Sequence, residues 1–360
     1  MDEPRSILFH IPLLAVGGSE VTLLNLARGL PRDRFTPMVW CSERDGPVGD
    51  SLRASGIPVY VRPLDSVGTT EWLHALRPVI FHSFSYRRDS RDVTTASLAG
   101  ISPVITSRHN MRHWDREGRV QPWEIERNDL TSVVVANSYR VAAHCRAIEQ
   151  LPPEKIRVIQ NGVHTPELAR SNRAAKNKLL IGSVGNLRKV KGYEVLLKAI
   201  AAAAVRTSNF HVVICGADYG ELRELKRLRA ELGLDDYVTF LGSRLDMEAI
   251  YADLDLYVQS SHSEGMPTAI LEAMAHGLPV VTTSVGGCGE AVVDGDTGLV
   301  TDPGDANALS AAMLRLMEDA TMRAHMGTAG RRRAMAHFNI ERVIREHTDL
   351  YSSLHVLPRV

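Results

Sequence analysis

Residues 262–283 read "HSEGMPTAILEAMAHGLPVVTT". Pro267 suits the first turn of a helix, where its missing N–H would have been unpaired anyway, and Gly265 lets the backbone turn into it. The pattern predicts a helix over 267–276, followed by the short strand "PVVTT" (279–283). Outward from this unit the same rhythm continues. Short Val-, Ile- and Leu-rich runs predict strands at 179–185, 210–216, 238–242, 254–259 and 298–301, with helices at about 193–204, 221–232, 246–252, 287–293 and 305–318. In the first half, strands are expected at 6–10, 36–40, 57–61, 79–82, 103–106, 132–136 and 156–160, and helices begin near Glu20, Asp89 and Ser138. Apolar strands alternating with amphipathic segments call for parallel sheets covered by helices on both faces, an α/β architecture.

The polar, basic stretch "VHTPELARSNRAAKNK" (163–178) separates the two series and reads as a linker. The expected division is a first domain over 1–165, a linker over 166–178, a second domain over 179–335 and a terminal helix over 336–360. Two Rossmann-like domains facing each other across a cleft explain the repeated rhythm, with ligand at the carboxyl ends of the strands. In "AHFNIERVIREHTDLYSSL" (336–354), Phe338, Ile340, Val343, Ile344, Leu350 and Tyr351 recur at helical spacing.

A chain of 360 residues with 44% hydrophobic content is long enough for two cores. Lys plus Arg and Asp plus Glu both total 42, so no whole-molecule field attracts nucleic acid or an anionic bilayer, and an anionic ligand must be held by local groups. Cys41, Cys145, Cys215 and Cys288 are scattered, with no Cys-x-x-Cys pair and no His cluster at metal-ligand spacing. They read as reduced thiols of a cytosolic protein. No signal peptide and no window approaching the roughly 20 apolar residues of a membrane span is present, so membrane contact would be peripheral.

The helix entrance Gly265, Met266, Pro267 and Thr268 offers backbone N–H groups, from its residues other than Pro267, and the positive end of a helix dipole, which attract phosphate. Glu264 lies just before this entrance and Glu272 more than a turn inside the helix. Carboxylates accept from hydroxyls, so a diphosphate with hydroxyls on both sides, a nucleotide sugar, suits both. The plain alternative is a solvated Glu272 and a Glu264 favoured only by the dipole. In "VGNLRKVKG" (184–192), Arg188 and Lys191 follow a strong apolar strand on a glycine-bounded turn, where cations suit a diphosphate. Taken alone, they would be ordinary surface charge.

The ordered set "VGNLRKVKG", "VTFLG", "EGMPTAILEAMAHGLPVV", "VGGCGEAVVDGDTGLV" and "DPGDANAL" resembles the nucleotide-binding half of the family 4 retaining glycosyltransferases over residues 181–318. The first half resembles it more thinly, through "VGGSE" (16–20), "PVITSRHN" (103–110), "VVVANS" (133–138) and "VIQNGV" (158–163). The resemblance implies a GT-B fold, no obligatory metal, and a nucleoside diphosphate sugar donor, UDP first and GDP or ADP as alternatives. The acceptor would be a hydroxyl of a saccharide or lipid-linked molecule. It further implies an acceptor-side first domain and a terminal helix that crosses back to it. Glu272 would then accept from the ribose hydroxyls, Glu264 would act at the donor sugar, and Lys191 would meet the diphosphate. The family's other basic residue sits directly after the glycine, where this chain has Asn186, so Arg188 is the candidate replacement.

Gly17 and Gly18 follow the first strand and permit close backbone approach to a ligand, or form a plain tight turn. His109, after the "PVIT" strand, matches the family's histidine, with Asn110 in place of the usual acid; His82 competes as an acceptor-side or structural residue. The basic segments 85–91 and 108–119 read as acceptor contacts or as solvated loop. Two readings from other classes stay in view. A dehydrogenase lacks its Gly-x-Gly-x-x-Gly with an acid about 20 residues on. A non-catalytic cytosolic nucleotide-sugar binder would not require both a phosphate clamp and an ordered sugar site.

Overall fold

The computed structural model describes residues 3–64, 68–85, 89–111, 120–167 and 178–355. The chain forms two compact units, one of residues up to Gly162 together with those from Ile340 on, the other of Val163–Asn339.

The first unit carries strands β1 (Arg5–Leu13), β2 (Phe35–Arg44), β3 (Val59–Val61), β4 (Ile80–Ser83), β5 (Val104–Arg108), β6 (Val133–Ala136) and β7 (Ile156–Val158). Between them lie α1 (Gly18–Gly29), α2 (Pro47–Ala54), α3 (Thr69–Leu76), α4 (Arg91–Leu98), α5 (Pro122–Leu130) and α6 (Tyr139–Ala147). All seven expected strands are present. Helices α2, α3 and α5 are additions; each is only eight or nine residues long, too short for a helical period to stand out. The sheet order is β3-β2-β1-β4-β5-β6-β7 and every pairing is parallel. Along β1, Ile7, Phe9 and Ile11 enter one apolar cluster while Leu8 enters another, because successive strand side chains point to opposite faces.

The second unit contains β8 (Leu179–Val184), β9 (Phe210–Cys215), β10 (Val238–Gly242), β11 (Leu256–Gln259), β12 (Val280–Thr283) and β13 (Gly298–Thr301). Its helices are α7 (Tyr193–Ala204), α8 (Leu222–Glu231), α9 (Met247–Asp253), α10 (Thr268–Ala275), α11 (Cys288–Ala291), α12 (Ala306–Glu318) and α13 (Ala320–His337). The order β10-β9-β8-β11-β12-β13 is again wholly parallel. Each sheet reverses its strand order once, beside β1 and β4 in the first and beside β8 and β11 in the second. Open α/β sheets bind ligands at such switch points, outside the carboxyl ends of the strands.

The single helix expected over 336–354 divides in two. Helix α13 ends at His337, Phe338 packs in the second unit's core, and α14 (Ile340–Ser353) belongs to the first unit. There Ile340, Val343 and Tyr351 join the cluster of Ile7 and Phe9. Helix α13 had little sequence signal because its buried face, Met326 apart, is built of small residues, Gly327, Ala329, Gly330 and Ala334. The linker expected over 166–178 falls mostly outside the described residues.

Candidate active site

The second unit's switch point is assembled from two loops. After β8 the chain passes Gly185 and Asn186 and reaches Lys191 and Gly192, where α7 begins. Gly192 has φ 64, and a Cβ there would lie 2.2 Å from the Ser260 carbonyl oxygen. Only glycine serves both needs. The loop after β11 therefore lies against this turn, with the Ser260 hydroxyl donating to Gly192 O at 2.8 Å and His262 N donating to Val190 O at 2.8 Å.

That stitching delivers Glu264 to Lys191. Three donors converge on Glu264 Oε1: Lys191 Nζ at 2.6 Å, Ser261 Oγ at 2.7 Å and Gln259 Nε2 at 2.9 Å. The Glu264 side chain is only 7% exposed, whereas Lys191 keeps 24% of its surface. A buried carboxylate demands such satisfaction, and an ammonium has three donors, of which Glu264 takes one. Gln259 is itself held, since the Tyr257 hydroxyl donates to Gln259 Oε1 at 3.0 Å. The far side of the loop is pinned by Gly286, whose φ is 50 and whose Cβ would stand 1.9 Å from Glu264 O. Gln259, Ser261 and Gly286 were not singled out from the sequence. The hints were polar Gln259 closing an otherwise apolar strand and Gly286 within the quoted segment "VGGCGEAVVDGDTGLV".

Pro267 is the N-cap of α10 rather than a first-turn residue, and the helix starts at Thr268. Met266 is buried in the core, so its side chain is not open to a ligand, and Gly265 beside it is buried as well. Glu272 stands in the second turn of α10, with its Oε2 accepting from the Tyr251 hydroxyl at 2.8 Å. Burial raises its carboxyl to about 7, opposed by the Tyr251 hydrogen bond. Arg188 points elsewhere than Lys191: its guanidinium lies 4.0 Å from the Tyr219 ring centroid. Asn186, in the position of the family's other basic residue, accepts from Ala217 N at 3.3 Å.

In the first unit, Gly17 caps α1 with extended backbone, and its carbonyl accepts from Val21 N at 2.9 Å. The Glu20 carboxylate occupies the space a Gly17 side chain would need. Gly18, the first residue of α1, is exposed. His109 follows β5 directly, its ring 5.2 Å from Phe84 in a stacked arrangement. Its Nε2 is buried without a hydrogen-bond partner. Burial, reinforced by His347 and Arg108, lowers its pKa to about 4, so the imidazole is neutral at pH 7. Strand β4 lies between β1 and β5, so Gly17, Gly18 and His109 share the carboxyl edge of one sheet.

Two readings left open for the first unit are narrowed. Arg108 is no acceptor-side cation: at β5's end it is enclosed and paired with Glu149 at 3.1 Å, with Asn128 and Thr106 taking its other donors. His82 is structural, buried between the Tyr351 hydroxyl at 2.7 Å and the Ser107 hydroxyl at 2.9 Å. Residues 86–88 and 112–119 of the two basic segments lie outside the described residues. A buried network that the sequence did not suggest joins Asp92 to Arg127 at 2.5 Å and to His10 at 3.2 Å, with Ser83 also donating to Asp92. Among the described residues no group of three or more His, Cys, Asp or Glu is placed to hold a metal ion, and no helix is long and apolar enough to cross a membrane.

Two parallel six- and seven-stranded sheets of this order, each with a loop-lined switch point, define a double Rossmann-like α/β protein of GT-B type. Residues 16–167 match the family model described as Glycosyltransferase Family 4, and residues 164–333 match Glycosyl transferases group 1. The chain belongs to this glycosyltransferase family. It is 32% identical over 219 residues to a D-inositol 3-phosphate glycosyltransferase of Corynebacterium aurimucosum, covering 56% of this chain and 52% of the relative. It is 32% identical over 209 residues to the lipopolysaccharide core biosynthesis mannosyltransferase LpcC of Rhizobium leguminosarum bv. viciae, covering 55% and 59%. The match thus spans little more than half the length of these relatives. Among solved structures, Anabaena Alr3699/HepE in complex with UDP and glucose superposes with a TM-score of 0.83 at 24% identity, covering 97% of this chain and 99% of that one. That likeness carries the fold.

Proposed function

We propose that the protein is a retaining glycosyltransferase that moves a sugar from a nucleoside diphosphate sugar to an acceptor hydroxyl, without a required metal. The observation that carries this reading is the convergence of Lys191, Gln259 and Ser261 on Glu264 at the carboxyl ends of β8 and β11. UDP is the preferred nucleotide, supported by the UDP complex of a protein with the same fold. Relatives named for D-inositol 3-phosphate and for the lipopolysaccharide core support an acceptor that is a polyol phosphate or a saccharide, free or lipid-linked. The reaction would belong to glycan, glycolipid or glycoconjugate biosynthesis on the cytoplasmic side of a membrane.

In this reading Glu272 accepts from the ribose hydroxyls. Lys191 and the backbone N–H groups of Gly265, Met266 and Thr268, on the helix entrance shaped by Pro267, receive the diphosphate, and Arg188 swings from Tyr219 to join them. The bond from the anomeric carbon to the phosphate oxygen breaks, and its electron pair leaves with the diphosphate. Lys191, held against Glu264 at 2.6 Å, would stabilise the developing charge with little reorganisation. The acceptor oxygen bonds to the anomeric carbon from the face the diphosphate leaves, and its proton passes to the departing phosphate oxygen. Glu264 and the neutral His109 position the sugar, while Gly17 and Gly18 allow close backbone approach. A panel of nucleotide sugars without acceptor, followed by thermal shift and slow hydrolysis, tests the proposal; no response to any donor sinks it.

A further inference from the structure

The environment of Glu272 contains more than a helix-borne carboxylate. Tyr251, on α9, is 1% exposed and spends its hydroxyl beneath α10, within 2.8 Å of Glu272 Oε2 and 3.3 Å of Ala269 O. Its ring lies 5.1 Å from that of His276, nearly parallel. His276 in turn closes the end of α10 with Nδ1 2.8 Å from Glu272 O. Both ends of Glu272 are therefore tied, backbone carbonyl to His276 and carboxylate to Tyr251. Among the described residues no cation reaches its carboxylate.

We propose that Tyr251 is a positioning residue for nucleotide binding: its hydroxyl holds Glu272 Oε2 and turns the other carboxylate oxygen toward the ribose hydroxyls. This rests on the reading of Glu272 as the ribose acceptor. A phenol fits the task better than a cation would. An ammonium would satisfy the carboxylate strongly and compete with the ribose, whereas one neutral hydroxyl fixes its orientation and leaves acceptor capacity.

The same hydrogen bond favours the ionised carboxylate against the effect of burial. Burial drives the Glu272 pKa up to about 7 and the Tyr251 hydrogen bond is the one opposing influence. The other titratable or charged groups around it are Tyr257 on β11, His276 at the end of α10, and, through His276, Glu248 on α9 and Arg331 on α13. Burial and Glu272 together hold Tyr251 protonated, since its own pKa is raised well above the usual value.

The test is calorimetric binding of UDP and of 2′,3′-dideoxy-UDP from pH 6 to 9, with GDP and ADP and their dideoxy forms run in parallel. Wild type should prefer the ribose nucleotide, with affinity rising through a midpoint near 7 as Glu272 ionises. Removing a hydrogen bond to a charged group should raise the midpoint by about one unit in Tyr251→Phe, weakening UDP about fivefold at pH 7 and restoring most of the loss at pH 9. In Glu272→Gln the profile should be flat, and adding Tyr251→Phe to it should cost nothing further. That second variant keeps the test decisive where Tyr251→Phe alone lowers stability. If wild type does not distinguish UDP from the dideoxy form, or binds no nucleotide, the ribose reading fails and this inference with it. If wild type distinguishes them but Tyr251→Phe has an unchanged midpoint and an unchanged ribose preference, the role of Tyr251 alone is overturned.

Discussion

Replacing Gln259 by leucine probes the centre of the candidate site without touching any group assigned to the nucleotide. Gln259 is 3% exposed and Leu has nearly its volume, so packing changes little. Two hydrogen bonds disappear: the one Gln259 accepts from the Tyr257 hydroxyl, and the one it donates to the buried Glu264 carboxylate, a class of interaction that contributes about 1.5–3 kcal/mol. Glu264 keeps Lys191 and Ser261, and the Tyr257 hydroxyl can still donate to Val184 O, 3.2 Å away, so no second group is orphaned. The lower part of that range therefore applies, about 2 kcal/mol. For a unit of this size that lowers the melting temperature by about 4–8 °C. The functional effect should divide unevenly. UDP affinity should hold within about twofold because Lys191 and α10 are intact, while turnover falls by at least about tenfold as Glu264 loses its fixed geometry, in line with the cost of misplacing a positioning group. Thermal unfolding and steady-state kinetics on a responding donor read both quantities. An unchanged melting temperature together with unchanged turnover would refute the reasoning that Glu264 depends on this donor.

Three further outcomes are expected. Lys191→Ala should weaken UDP by at least about tenfold with a reduced salt dependence, and it should destabilise the free protein modestly because Glu264 is left with two neutral donors. Gly286→Ala should destabilise the second unit by more than about 1 kcal/mol, since its φ of 50 is strained for alanine and the new methyl meets Glu264 O; circular dichroism melting reads this. The first unit should lose more stability than the second in mild acid, although His276 in the second, whose pKa is also lowered by burial, acts like the first unit's histidines. In the first, buried His347 has its pKa lowered to about 4, so the unfolded chain binds the proton first, and stability is lost as pH falls from about 6.5 toward 4, by about 3 kcal/mol for this residue. His82 and His109 act in the same direction. In the second, Glu272 is raised to about 7, so the folded state binds the proton first and this group adds stability as pH falls from about 7 toward 4.5. Calorimetry with limited proteolysis should therefore show the first unit's melting falling more steeply between pH 6.5 and 4.5.

What the sequence determined by itself was everything carried by local pattern. All thirteen strands and the helices α7, α8, α10 and α12 were legible because a buried parallel strand is an unbroken apolar run and an amphipathic helix repeats its apolar face. The loop of Glu264 and the position of Glu272 were legible for a related reason, since Gly265 and Pro267 announce a helix entrance within a few residues. Only tertiary structure decided which of the candidate groups meet. Lys191 and Glu264 are 73 positions apart and are joined because β8 and β11 are neighbours in the sheet. Arg108 and His82 looked equally available in sequence, yet Glu149 and Tyr351 enclose them in the core. The assignment of α14 to the first unit and the grip of Tyr251 on Glu272 likewise depend on packing between distant segments. A side chain's type sets what chemistry it can do, but its burial and its partners are set by chain regions that carry no trace in its own neighbourhood.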